Sequence, residues 1–256
     1  METPISPSGE LLHLLLDIGE QLIKSGAEVK RVEDTLTRMG KAYGAEKMNV
    51  FVITSSIVVT MACPDGQELT QTRRISGFVG TDFTRLERLN ALSRRCCAHP
   101  LPIDELRGEI AALLPGTKQS IIVFGSVLAA GSFAVFFGGS LPDALLASLF
   151  AAVICFLQAK LAPLCPNRVV FNLLASLITG LLICLSSGFL PCIHTDKVMI
   201  GDIMLLIPGL AMTNAVRDVL VGDTISGVMR FLESLLWAIA LACGFMIAIW
   251  MTGGRI

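Results

Sequence analysis

The sequence predicts an α-helical membrane protein, with about five transmembrane helices behind an N-terminal cytosolic α+β domain. Three observations carry that prediction. The first is composition: of 256 residues, 53% are hydrophobic and only 16% charged, with a mean hydropathy of +0.70, whereas soluble domains carry about a quarter charged residues. The second is where the charge sits: residues 1–117 hold 13 Lys and Arg and 15 Asp and Glu, whereas residues 118–256 hold 7 and 6. The third is the length of the uncharged runs in the back part. They count 24 residues between Lys118 and Asp143, 16 between Asp143 and Lys160, 27 between Arg168 and Asp196, 14 between Asp202 and Arg217, and 21 between Glu233 and Arg255. About 20 apolar residues at 1.5 Å rise cross a hydrocarbon layer of roughly 30 Å. Three runs therefore span with ease, the run of 16 is marginal and the run of 14 is short. An ordinary soluble enzyme is disfavoured. The expected organisation is a cytosolic domain over 1–117 and a transmembrane domain over 118–256, with spans at about 119–138, 143–160, 169–189, 198–212 and 230–251.

In the front part, Leu11, Leu12, Leu15, Ile18, Leu22 and Ile23 share one helical stripe over residues 9–25, and Ser25-Gly26 supplies the stop. That stretch is broken by His13, Asp17, Glu20 and Gln21, so it reads as amphipathic and not as a cleavable leader. A second helix over 28–43 puts Val29, Val32, Leu36, Met39 and Tyr43 on one face, with Arg31, Glu33, Asp34 and Arg38 on the others. Glu28 and Arg31, three apart, read as a surface ion pair. From Met48 to Ala62 the chain turns β-branched with a bend at Ser55-Ser56, Pro64-Asp65-Gly66 is a tight turn, and Glu68 to Ile75 returns antiparallel with Thr70, Thr72 and Arg74 on one face. Helices over 82–97 and 103–113 follow, and Pro115-Gly116 closes the domain.

No chemistry is encoded in a recognisable pattern. No G-x-S-x-G elbow, phosphate loop, dinucleotide fingerprint or H-E-x-x-H occurs. The eight cysteines form no CxxC pair, and His13, His99 and His194 are scattered, so no metal site, cofactor, enzymatic activity or nucleic-acid partner is expected. Arg73-Arg74 could bind an anion, although two arginines ending a strand more often form a solvated edge.

In the back part, small residues (Gly125, Ala129 and Ser132; Gly131 and Gly138; Ala147, Ala151 and Cys155) allow close helix contact. Asn172, Ser176 and Thr179 make one polar stripe on the third span, either an interhelical hydrogen-bonding seam or the wall of a solute path. The fourth span, Val198 to Met212, is about 22 Å long at helical rise. It contains Pro208-Gly209, the sequence pointer to a broken transporter helix. Beyond it Asn214, Arg217 and Asp218 share a face and Asp223 follows Gly222, which fits either a solute site or a plain membrane interface. Arg230 and Glu233 suit a self-paired start to the fifth span. Asp202, Asp218 and Asp223 are candidates to carry a coupling proton. With the N-terminus inside, Lys118, Lys160, Arg168, Arg217 and Arg230 lie on the cytoplasmic side, leaving Lys197 and Arg255 outside.

Two stretches resemble the bacterial threonine/serine exporter family. Ser25-Gly26-Ala27-Glu28-Val29-Lys30-Arg31-Val32-Glu33 is similar to its early helix motif, and Thr72-Arg73 after Asp65-Gly66 fits as well. Ile207-Pro208-Gly209, then Thr213-Asn214-Ala215-Val216-Arg217-Asp218 and Gly222-Asp223, is similar to its second signature. The resemblance covers essentially the whole chain. Fused members carry a second membrane half, and because this chain ends at Ile256 it resembles the larger subunit of the split form, the succinate and amino-acid exporter branch. The resemblance implies an inner-membrane subunit with a cytoplasmic N-terminus. Its partner would be a smaller membrane protein, and its solute a succinate-like dicarboxylate or threonine and serine. The expected path or gate residues are Asn172, Ser176, Pro208, Gly209, Asn214, Arg217, Asp218 and Asp223, with Gly26, Ala27, Glu28, Arg31 and Arg73 as the motif of the cytosolic domain. The alternative is a membrane-anchored docking or regulatory module for a partner transporter.

Overall fold

Helix α1 (Pro7–Lys24) and helix α2 (Val29–Ala42) form where apolar residues recur every three or four positions. Leu12, Leu15, Ile18, Leu22 and Ile23 of the first, and Val29, Val32, Leu36 and Met39 of the second, are fully buried against each other and the sheet. Strands β1 (Lys47–Ile53), β2 (Ser56–Ala62) and β3 (Glu68–Arg74) make an antiparallel meander, with Phe51 opposite Val58 and Val58 opposite Thr72. Gly66, at φ +80°, makes the β2–β3 turn, and Asp65 Oδ1 accepts from the Gln67 N–H at 3.0 Å. Ile57, Val59 and Met61 face the helices, while Thr60 and Thr70 share a hydroxyl hydrogen bond on the open face. Helices α3 (Phe83–Ala98) and α4 (Ile103–Ala112) close the same core with Leu89, Leu92, Cys96, Leu106 and Ile110.

The remaining helices are α5 (Gln119–Phe136), α6 (Leu141–Lys160), α7 (Arg168–Ser187), α8 (Thr195–Leu206), α9 (Gly209–Val221) and α10 (Thr224–Met251), with a 3-10 turn at Ala162–Leu164. The computed structural model describes residues 7–76, 80–113, 118–190 and 192–253; Pro115-Gly116 and Arg255 lie outside them. Two compact units emerge: Met1–Gly116 with Leu210–Phe231, and Thr117–Gly209 with Leu232–Ile256. Among the described residues, α5, α6 with its 3-10 turn, α7 and α10 are each long and apolar enough to cross a membrane, and a fifth span results if the broken pair α8 and α9 counts as one.

Small residues set the helix contacts of the second unit. A Cβ at Gly131 of α5 would fall 3.1 Å from the Ala144 carbonyl of α6, and one at Gly201 of α8 would fall 2.6 Å from the Ala130 carbonyl of α5. Ala147, Ala151 and Cys155 are buried, as their spacing predicts, whereas Gly125 faces open space. Asp143 sits in the first turn of α6 and is fully buried. Its carboxylate accepts from the Ser140 N–H and Oγ–H at 2.7 Å each and from the His194 N–H at 2.7 Å, and it lies 2.9 Å from His194 Nδ1. The cysteines are free; Cys97 on α3 and Cys192 between α7 and α8 are exposed.

Candidate functional site

Two glycine turns build the site in the first unit. At the end of α1 the Gly26 N–H donates to the Ile23 carbonyl and the Ala27 N–H to the Leu22 carbonyl. This is a Schellman closure with Gly26 at φ +89°. At the end of α9 the Gly222 N–H donates to Val219 and the Asp223 N–H to Asp218, with Gly222 at φ +103°. Each turn delivers an acidic residue to the start of the next helix, Glu28 ahead of α2 and Asp223 ahead of α10. There the unpaired N–H groups of the first turn favour a negative charge. Gly227 brings α10 onto α9, since a Cβ there would stand 2.8 Å from the Ala215 carbonyl.

Within this frame the two motifs meet. Arg217 Nη1 lies 2.9 Å from Glu28 Oε1, and Arg230 Nη1 lies 3.1 Å from Asp218 Oδ2. Both pairings correct the sequence reading, which joined Glu28 to Arg31 and Arg230 to Glu233 along single helices. The pairs differ in kind: the Arg217 side chain is 60% exposed, whereas Asp218 and Arg230 are 3% and 10% exposed. Glu33 Oε1 accepts from the Val52 N–H at 3.1 Å, so it is held inward and is not on a solvent face. Burial raises the Glu33 carboxyl above the ordinary glutamate range, the Asp223 carboxylate pushes it further, and the Val52 N–H opposes both. One Asp223 oxygen, Oδ2, is buried without a hydrogen-bond partner among the described residues.

The other expected residues fall elsewhere. Arg73 clamps β3 to α1 through Asp17 at 2.7 Å and Glu20 at 3.1 Å, Arg31 is exposed on α2, and Ala27 is buried in the α1–α2 turn. Asn214 is half-buried on α9, and Gly209 opens that helix. Ile207 has ψ 131°, the extended setting that a following proline imposes, so α8 stops before Pro208. In the second unit Asn172, Ser176 and Thr179 are all buried. Ser176 Oγ donates to the Asn172 carbonyl of its own helix at 2.7 Å, and Asn172 Nδ2 reaches the Trp237 carbonyl of α10 at 3.5 Å. Of the three, Asn172 reaches across to α10, Ser176 bonds within α7, and Thr179 Oγ1 is buried without a hydrogen-bond partner among the described residues. Sequence reasoning missed Glu33 and Arg230 as members of the cluster and Asp143 with His194 as a paired group. For the last, Ser140 three residues ahead of Asp143 at the start of a helix was the available signal.

The chain matches the threonine/serine exporter family (ThrE) over residues 13–252. It belongs to that family. The chain is 24% identical to a "Probable succinate transporter subunit YjjP" of Klebsiella aerogenes, over 100% of this chain and 99% of that protein. It is 25% identical to the protein of the same name in Escherichia coli K12, over 94% of each. It is also 24% identical to the "Threonine/serine exporter" of Corynebacterium glutamicum, over 91% of this chain and 50% of that protein. No solved structure matches. Both motifs of the first unit lie inside the matched range, and in the structure they meet at the Glu28–Arg217 pair.

Proposed function

We propose that this chain is the larger membrane subunit of a two-component secondary exporter in the inner membrane, N-terminus in the cytoplasm, releasing small carboxylate-bearing metabolites. The observation that carries the reading is the Glu28–Arg217 pair at 2.9 Å, because it joins the two motifs through an exposed, exchangeable contact. An exposed pair of this kind is worth about 0.2–1 kcal/mol. A solute carboxylate, which a guanidinium fork binds by two parallel hydrogen bonds, can take the place of Glu28 at little expense. The neighbouring acids refine the solute. Arg217, Arg230 and Lys30 stand among Glu28, Glu33, Asp34, Asp218 and Asp223, so carboxylates outnumber cations. That excess complements the ammonium group of an amino acid better than the second carboxylate of a dicarboxylate, and it favours threonine or serine over succinate. The YjjP relatives carry a succinate name, so all three solutes enter the test.

The test is efflux of preloaded labelled threonine, serine and succinate from cells making this chain alone or with the small membrane protein that the split form is expected to have encoded beside it. Release only with both chains, and more of the amino acids than of succinate, is the expected result. Arg217→Ala and Arg217→Lys should both cut release, the second because a point charge cannot replace the fork. Unchanged release from a folded Arg217→Ala protein would sink the assignment.

A further inference from the structure

We infer that Asp202 is a proton-binding site inside the second unit. Its residue is fully buried, and neither carboxylate oxygen has a hydrogen-bond partner among the described residues. It lies on the inward face of α8, one helical turn from Val198 and one from Leu206, both buried members of an apolar cluster with Ala147, Ala151 and Phe171. The next residue back, Gly201, sits at a close helix contact, since a Cβ there would fall 2.6 Å from the Ala130 carbonyl of α5 and 3.2 Å from the Ala147 side chain of α6. An ionised carboxylate in such a place is strongly disfavoured, and the group avoids the penalty by taking a proton. Among the described residues no grouping of three or more acidic, histidine or cysteine side chains stands ready to hold a metal ion.

The surrounding charges do not supply a counter-ion. Helix α5 carries no ionisable side chain at all; α6 offers Asp143, Cys155 and Lys160, and α7 offers Arg168 and Cys184. Asp143 is engaged by Ser140 and His194, and the Asp196 and Lys197 of α8 itself pair with each other at 2.9 Å. Asp202 stands alone, so its neutral acid form is the one this packing accepts. The reaction is carboxylate plus one proton giving carboxylic acid, with the proton returned when the bundle admits water. Its use as the coupling step rests on the exporter reading; its protonation does not.

The test uses the full chain in lipid bilayers. An infrared pH titration should show the carbonyl stretch of a protonated carboxylic acid persisting at neutral pH, shifted by carboxyl-labelled aspartate and lost in Asp202→Asn. Isotope labelling reads the wild-type protein alone, so the assignment to aspartate survives a variant that fails to fold. No acid band at neutral pH, or a band untouched by both label and variant, overturns the proposal. In vesicles holding both chains, an imposed pH gradient should accelerate release of labelled threonine, and Asp202→Asn should remove that acceleration. Acceleration that survives in the variant, or that follows a sodium gradient in place of protons, overturns the coupling role of Asp202 and leaves its protonation to the infrared result. If the wild-type chains move no solute, the exporter reading fails and the infrared result alone decides Asp202.

Discussion

Arg230 and Arg217 stand in one cluster, and their exposure separates them. Asp218 and Arg230 are desolvated together, so removing one partner strands the other, at about 3–5 kcal/mol. Arg230→Ala should therefore lower the thermal midpoint of the full chain in detergent steeply, with part of the loss recovered by adding Asp218→Asn. Arg217→Ala should leave that midpoint almost unmoved while changing release. Glu33 adds a pH signature. Because burial raises its carboxyl, the folded chain keeps a proton that the unfolded chain gives up from about pH 4.3. Its contribution to stability is then lost as pH climbs from that value through the raised one, and Glu33→Gln should flatten this part of the midpoint-against-pH curve. The motif residues were visible in the sequence; their partners were not. Three-residue spacings offer an obvious partner on the same helix, and only the folded backbone shows that Glu28 and Arg230 turn away from Arg31 and Glu233.

Among the elements, the break between α8 and α9 was legible because proline acts locally, removing one N–H and forcing its predecessor extended. The α9–α10 hairpin was less so, since a helix carrying Arg217 and Asp218 beside an apolar run looks like chain leaving lipid. Glycines give the sharpest tests of these packings. A Cβ at Gly244 of α10 would fall 2.6 Å from the Leu173 carbonyl of α7, backbone that cannot yield, whereas one at Gly125 meets nothing within 4 Å. Gly244→Ala should destabilise by about 1–3 kcal/mol. Gly125→Ala should be neutral or gain up to about 1 kcal/mol from helix propensity. Thermal midpoints in detergent, measured side by side, check the contrast. Gly222→Ala, at φ +103°, should cost about 1–2 kcal/mol through backbone strain alone.

For the molecule as a whole, charge density set a charged front part against an apolar back part, and hydrophobic spacing placed α1 to α4 and the meander. It could not show that Leu210–Phe231 groups with the front part, because contacts such as the Glu28–Arg217 pair join residues far apart in sequence. The two exposed thiols carry a consequence of a different sort. Cys97 precedes α5 and Cys192 follows α7, so three membrane-length helices separate them in sequence; if all three cross, as the proposed topology requires, the two thiols face opposite sides of the bilayer. A membrane-impermeant maleimide applied to intact cells should therefore mark Cys192 and spare Cys97, with the preference reversed in inside-out vesicles. Labelling of both thiols from one side would mean that α5, α6 and α7 do not all cross. The native chain thus carries its own compass for the membrane, without an added tag.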